Sequence, residues 1–223
     1  KVILLNSPHN PTGAVMTEHN FSNLADILIQ NNLWLVSDEV YEDLIFKGNF
    51  YSPLFNQKLA PYTVVVSSIS KSHAAPGFRS GWAIGPKEFC LRTLPLSETM
   101  LFGGQPFIAD MTALALSRPS KVSVKMKKAY ERRAKLIIKK LEPVKNLTPL
   151  MPNAGMFMLI DIKKTKLNCS KFAWQLLNEQ LVAVMPGESF GDQAKGFIRV
   201  SLTVPDELLI EACDRISIFS KNL

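Results

Sequence analysis

The most constraining feature of the sequence is a set of short, continuous apolar segments in its first hundred residues. They run from Val2 to Asn6, Leu33 to Ser37, Thr63 to Ser68 and Ser80 to Gly85, and helical patterns or turns separate them. Continuous apolar strands of this length are typical of a mostly parallel sheet that is covered on both faces. The sequence therefore predicts an α/β fold with three layers, helix, sheet and helix.

The second half of the sequence has a different pattern of predicted elements. Its predicted elements are short strands interleaved with helices, at Met156 to Asp161, Ser170 to Glu179, Val182 to Met185, Phe197 to Ser201 and Pro205 to Phe219. This pattern is typical of a separate, small α+β domain. We therefore predict a large domain at residues 1–118 and a small C-terminal domain at residues 119–223.

The net charge of +7 raises the question of a nucleic-acid partner. Much of this charge lies between Lys121 and Lys140, where apolar residues such as Tyr130 and Ile137 recur at helical spacing. An amphipathic helix with a solvated basic face explains this pattern. Aromatic residues are not interleaved with the charges as a single-strand binder requires. We expect no nucleic-acid partner.

Other classes of protein are disfavoured by simple counts. No apolar run approaches the about 18 residues that a membrane span needs, so we expect no membrane partner. The three cysteines, Cys90, Cys169 and Cys213, are widely spaced and odd in number, which favours reduced thiols and a cytoplasmic location. The histidines show no ligand spacing, and we predict no metal.

Chemically useful side chains gather where the predicted strands of the first half end. They are Asn10, Asp38, Tyr41, Ser68, Ser70, Lys71 and Arg79. Singly, each has a structural explanation as a helix cap, a turn or a surface ion pair. Ligands of α/β sheets, however, bind outside the carboxyl ends of the strands. We therefore expect a ligand site at this end of the sheet.

One cofactor, pyridoxal 5'-phosphate (PLP), needs this combination of groups. Its aldehyde forms an imine with a lysine amine, and its pyridine nitrogen needs a carboxylate. Its ring oxygen needs hydrogen-bond donors, and its phosphate needs hydroxyl groups and a guanidinium. The polar groups at the strand ends supply each of these.

Sequence motifs in the same order resemble the signatures of class I and II aminotransferases of PLP fold type I. They are SPHNPTG at 7–13, SDEVY at 37–41, SISK at 68–71, GFRSGW at 77–82, NAGMF at 153–157 and FIRVS at 197–201. The resemblance covers essentially the whole chain. Together with GESFG at 187–191, these motifs are most similar to arginine–pyruvate and broad aspartate or aromatic transaminases.

The resemblance implies a role for each residue of the cofactor ring site. Lys71 is the catalytic Schiff-base residue and moves the proton between the substrate and the cofactor. Asp38 pairs with the pyridine nitrogen. Asn10 and Tyr41 hydrogen-bond the ring oxygen.

The resemblance also implies how phosphate and substrate are held. Ser68 and Arg79 bind the phosphate, while Ser70 either assists them or serves in packing. Arg199 binds the α-carboxylate of an amino acid or a 2-keto acid, the two substrates of a transaminase. The family further implies a homodimer.

Three other interpretations remain open. A β-lyase of the same fold would use the same residues, and an aminotransferase-like domain also binds effectors in certain transcriptional regulators. Because the chain begins at Lys1 inside an apolar strand, we expect an N-terminal half to precede it. The third alternative is therefore an inactive truncated product, and we expect residues 1–223 alone to be inactive.

Overall fold

The computed structural model describes residues 1–223, which divide into two compact units. The first unit contains Lys1–His9 and Ala14–Met126, and the second contains Asn10–Gly13 and Lys127–Leu223. The change from one unit to the other falls within helix α5, Lys121–Leu141. The domain boundary near residue 119 stays a prediction.

The first unit is built on a four-stranded sheet. Its strands are β1 (Val2–Asn6), β2 (Trp34–Asp38), β3 (Thr63–Ser68) and β4 (Gly81–Ile84), in the order β1-β2-β3-β4. β1, β2 and β3 are parallel to one another, and β4 runs antiparallel to β3. The predicted α/β fold with a mostly parallel sheet is confirmed.

Helix α1, Glu18–Gln30, connects β1 to β2 and supplies the core of the first unit. Thr17 caps it, because its hydroxyl accepts a hydrogen bond from the Asn20 backbone and the Asn20 side chain accepts one in return from the Thr17 backbone. One face of the helix is buried against β2 and the loop before β3. The residues of this core are Phe21, Ala25, Leu28, Leu35 and Leu59.

The remaining helices of the first unit are α2 (Ile69–Ser72), α3 (Lys87–Leu101) and α4 (Pro106–Leu116). The short helix α2 follows β3 directly and was not predicted from the sequence. Helix α3 buries none of its residues. The outward-facing Val2 and Leu4 of β1 are 60% and 71% exposed, so this edge of the sheet presents apolar surface.

The second unit contains an antiparallel sheet in the order β5-β6-β8-β7. Its strands are β5 (Thr148–Pro149), β6 (Phe157–Asp161), β7 (Met185–Pro186) and β8 (Phe197–Ser201). The prediction of a strand from Val182 to Met185 is wrong in extent. Pairing with β8 begins only at Met185, which lies opposite Arg199, so the residues before it have no strand partner.

Helices α5, α6 (Cys169–Gln180) and α7 (Asp206–Lys221) complete the second unit. Phe172 of α6 and Phe219 of α7 meet edge to face with ring centroids 5.1 Å apart. Arg132 and Arg133 of α5 both bind Asp206 at the start of α7, at 2.6 and 2.8 Å. Part of the basic face of α5 thus serves in ion pairs. None of the helices has the length and apolar character to cross a membrane.

Candidate functional site

The carboxyl ends of β1, β2 and β3 lie side by side in the first unit. Asn6, the last residue of β1, pairs with Asp38, and Asp38 pairs with Val66 of β3. The backbone N–H of Glu39 continues this ladder by donating to the Val66 carbonyl at 2.9 Å. Since neighbouring strands lie about 4.8 Å apart, Asp38 stands beside the end of β3, where Ser68 and Lys71 follow.

Asp38 is half-buried and forms no salt bridge. Its Oδ1 accepts a hydrogen bond from the backbone of Val40 at 3.1 Å, which fixes the carboxylate at the start of the turn after β2. Tyr41 follows in the same turn and is buried, with 8% of its surface exposed. The turn therefore holds a carboxylate and a phenol, as predicted, at the end of the second strand.

Lys71 lies in the short helix α2, whose formation has a local cause. The Ser68 hydroxyl, at the N-cap, accepts a hydrogen bond from the Ser70 backbone at 3.3 Å. This cap turns the chain sharply at the end of β3 and places Lys71 within one turn of it. The Lys71 side chain is half-buried and forms no salt bridge, so its amine is available to a ligand.

Arg79 occupies a strained position just before β4. Its backbone is left-handed, with φ 52° and ψ 40°, a conformation that costs a non-glycine residue about 1 kcal/mol or more. Its side chain is exposed, and Nη1 donates to the Pro76 carbonyl at 2.8 Å. Gly81 follows and pairs with Ser68; a Cβ there would lie 2.8 Å from the Ser67 carbonyl oxygen.

Two carboxyl groups near Asp38, one buried and one half-buried, were given no role by the sequence analysis. Glu39 is 3% exposed, and its Oε1 accepts hydrogen bonds from Ser37 and Ser52, both at 3.0 Å. Burial raises the pKa of Glu39 to about 7 against the opposing effect of these hydrogen bonds. Burial also raises the pKa of Glu42, to which Ser67 donates at 3.3 Å. The sequence signal that could have identified Glu39 is its position directly after a buried strand, where an acidic residue is unusual.

Arg199 and Asn10 are joined within the second unit. Arg199 Nη1 donates to Asn10 Oδ1 at 3.0 Å, and the guanidinium carbon lies 4.7 Å from the ring centroid of Phe190. Asn10 belongs to this unit because its turn packs tightly there. At Gly13 a Cβ would lie 2.5 Å from Cβ of Pro152, which leaves room for glycine alone.

The structure thus divides the predicted site residues into two sets. Asn10 and Arg199 are brought together in the second unit, by the hydrogen bond between their side chains. The others follow the strand ends of the first unit: Asp38, Tyr41, Ser68, Ser70, Lys71 and Arg79. No group of three or more His, Cys, Asp or Glu side chains is placed to hold a metal ion.

The set in the first unit fits PLP in its chemistry. It offers an amine, a carboxylate and a guanidinium, on Lys71, Asp38 and Arg79, and none of the three is consumed by a salt bridge within the protein. Opposite charges that are left unpaired at one sheet end are suited to a ligand that carries both a cationic ring nitrogen and a phosphate.

Comparison with known proteins gives a consistent result over the length of the chain. The family model "Aminotransferase class I and II" matches residues 1–216. The arginine–pyruvate transaminase AruH of Pseudomonas aeruginosa is 40% identical over 223 residues, which are 100% of this chain and 57% of that protein. An aspartate aminotransferase of Pyrococcus horikoshii is 32% identical and is matched over 97% of this chain and 56% of its own length.

Solved structures agree with the sequence comparison. The crystal structure of an aromatic aminotransferase from Pyrococcus horikoshii OT3 superimposes with a TM-score of 0.95 at 32% identity, covering 100% of this chain and 60% of that one. A Thermus thermophilus aspartate aminotransferase with maleate gives a TM-score of 0.88 at 32% identity, with 100% and 57% covered. The chain therefore spans 56–60% of the length of these relatives.

Proposed function

Because this chain belongs to the class I and II aminotransferase family, we propose that the whole protein is a PLP-dependent aminotransferase. It moves an amino group between an L-amino acid and a 2-keto acid. The observation that carries this proposal is the half-buried, unpaired Lys71 amine directly after β3, with the Asp38 carboxylate at the end of the adjacent strand.

Lys71 is the group that moves the proton. When bound, PLP draws electrons away from the α-carbon of the substrate and so makes its proton acidic. The Lys71 amine would take this proton from the α-carbon and return it on the cofactor side of the substrate nitrogen. Hydrolysis by a water molecule would then release the keto acid and leave the amino group behind. Its place in a short, capped helix directly after β3 supports this role, because it keeps the residue close to the strand end.

Asp38 and Tyr41 set the electronic state of the cofactor ring. The Asp38 carboxylate holds a proton on the pyridine nitrogen, since a cation at this atom is stabilised by the opposite charge. Its own position is fixed by the Val40 backbone. Tyr41, together with Asn10, donates to the ring oxygen.

Ser68 and Arg79 hold the phosphate. Arg79 supplies the planar, permanently charged fork that suits a phosphate, and Ser68 supplies a hydroxyl at the N-cap of α2. Ser70, in the first turn of α2, assists. The strained backbone of Arg79 is consistent with a role in binding, because such conformations cluster at ligand sites.

Arg199 binds the substrate carboxylate with its guanidinium, a geometry that lysine cannot reproduce. Arginine, aspartate and the aromatic amino acids are the amino donors to test, because relatives named for them are 30–40% identical to this chain. We also propose a cytoplasmic homodimer as the working form, in keeping with the family resemblance.

The experiment uses the full-length protein with PLP, pyruvate and a panel of amino acids. Formation of alanine and of the donor's keto acid in equal amounts supports an aminotransferase. Release of ammonia with no alanine would instead identify a lyase and overturn the proposal.

A further inference from the structure

The guanidinium of Arg199 lies within cation–π distance of two aromatic rings of the second unit. Its central carbon is 4.7 Å from the ring centroid of Phe190 and 5.6 Å from that of Phe157. Phe157 begins β6, the strand paired with β8, and is 4% exposed. An arginine whose face lies over an aromatic ring can direct its planar edge toward an anion. The two rings therefore restrict the plane in which Arg199 can present its N–H groups.

The nearer ring, Phe190, is held by a turn rather than by the sheet. This turn, Gly187–Phe190, follows β7 directly. A Cβ on Gly187 would lie 2.1 Å from the Ala194 carbonyl oxygen and 2.5 Å from that of Phe197. The turn thus lies against the backbone that leads into β8, the strand that carries Arg199.

A second contact fixes the turn from the other side. Glu188 Oε1 accepts hydrogen bonds from the backbone N–H of Ser170, at 3.1 Å, and from the Ser170 hydroxyl. Ser170 lies in the first turn of α6, where backbone N–H groups have no partner within the helix and a negative charge is favoured. Glu188 therefore ties the Phe190 turn to the N-terminus of α6.

We propose that Phe190 and Glu188 are positioning residues for substrate binding. Phe190 orients the Arg199 guanidinium for a carboxylate, and Glu188 holds the turn that carries Phe190. This inference rests on the proposed function, in which Arg199 binds the substrate carboxylate. Neither residue contacts the reacting atoms, so the effect is on carboxylate affinity and not on the chemical step.

The test compares Phe190→Leu, Phe190→Tyr and Glu188→Ala in the full-length holoenzyme. We expect Phe190→Leu to raise KM for both the amino acid and the keto acid about 3- to 10-fold, the scale of a lost cation–π contact. The value of kcat should stay within about twofold, because the interaction is the same before and during reaction. Phe190→Tyr keeps the ring and should restore KM, and Glu188→Ala should raise it about threefold.

Binding without turnover supplies an independent measurement. Propionate has a carboxylate but no amino or keto group, so its affinity, measured by calorimetry, reports the Arg199 site alone. In Phe190→Leu the affinity for propionate should fall by the same factor as KM rises. The matched control is Phe197→Leu, which removes another cation–π contact of β8, with Lys163 at 4.3 Å, and should leave propionate affinity unchanged.

Three results would overturn the inference. They are unchanged KM and propionate affinity in Phe190→Leu, a loss confined to kcat, or an equal loss of affinity in Phe197→Leu. If Phe190→Leu does not fold, the Glu188→Ala result decides in its place. The variant Arg199→Lys distinguishes failure of the proposed function from failure of this inference. If Arg199→Lys leaves propionate affinity unchanged, the proposed role of Arg199 is wrong. If Arg199→Lys lowers propionate affinity and the Phe190 and Glu188 variants do not, only the inference is wrong.

Discussion

Ser52 donates a hydrogen bond to Glu39 at 3.0 Å, and both side chains are buried beneath the end of β2. Ser37 donates to the same carboxyl oxygen from the strand itself. Glu39 therefore ties the loop that contains Ser52 to the strand end that carries Asp38. This buried link lies one residue from the carboxylate that we assign to the pyridine nitrogen.

The first prediction concerns the pH dependence of stability. Burial raises the pKa of Glu39 from 4.5 to about 7, so the folded protein keeps a proton that the unfolded chain loses between these pH values. The free energy of unfolding should therefore fall as pH rises from about 5 to 8, by ~3 kcal/mol from this group. Burial of Glu42 acts in the same direction.

The measurement is denaturant unfolding of wild type and Glu39→Gln at pH 5 and pH 8. The variant cannot ionise at this position, so its loss of stability over this range should be smaller by about the amount above. Glu88→Gln, at a surface side chain that is 68% exposed, is the control and should behave as wild type. Equal pH dependence in Glu39→Gln and wild type would mean that Glu39 does not titrate as described.

The second prediction concerns Gly187. Alanine at this position would force Cβ to 2.1 Å from the Ala194 carbonyl oxygen, a backbone atom that cannot move aside alone. We expect Gly187→Ala to lower the free energy of unfolding by about 3 kcal/mol. Gly104→Ala, where a Cβ meets nothing within 4 Å, should change it by less than about 0.5 kcal/mol. Similar values for the two variants would show that the turn tolerates a side chain.

The third prediction concerns Arg199. Lysine keeps the charge but loses the planar pair of donors, so Arg199→Lys should raise KM for both substrates roughly 10- to 100-fold. PLP should remain bound. Arg215→Lys is the matched control, because Arg215 serves the structure by binding the Gln180 carbonyl and Glu211. Unchanged KM in Arg199→Lys would remove Arg199 from the substrate site.

Local patterns in the sequence were sufficient for much of the fold. The strands of the first sheet depend on residues close in sequence, and so they could be predicted. The extent of β7 could not be predicted, because it is set by pairing with β8. The apolar residues before Met185 have the composition of a strand but no strand partner. The antiparallel direction of β4 could not be predicted either, because an apolar pattern does not indicate which way a strand runs.

The candidate site shows the same division between local and distant effects. Lys71, Asp38 and Arg199 could be identified because each lies in a motif of characteristic composition. The burial of Glu39 depends on Ser52, thirteen residues away, and the stacking of Phe190 on Arg199 depends on the turn before β8. Glu39 and Phe190 each lie in a motif that carries the family resemblance, SDEVY and GESFG. Their side-chain contacts, however, can be seen only in the folded structure.

The central claim is that Lys71 carries PLP, and it can be tested directly on the full-length protein. Borohydride reduction fixes the cofactor to the lysine that holds it, and mass spectrometry of the digested protein then identifies that residue. We predict a phosphopyridoxyl group on the peptide that contains Lys71 and none in Lys71→Ala. A modification on another lysine in the wild-type protein, or none at all, would contradict the account.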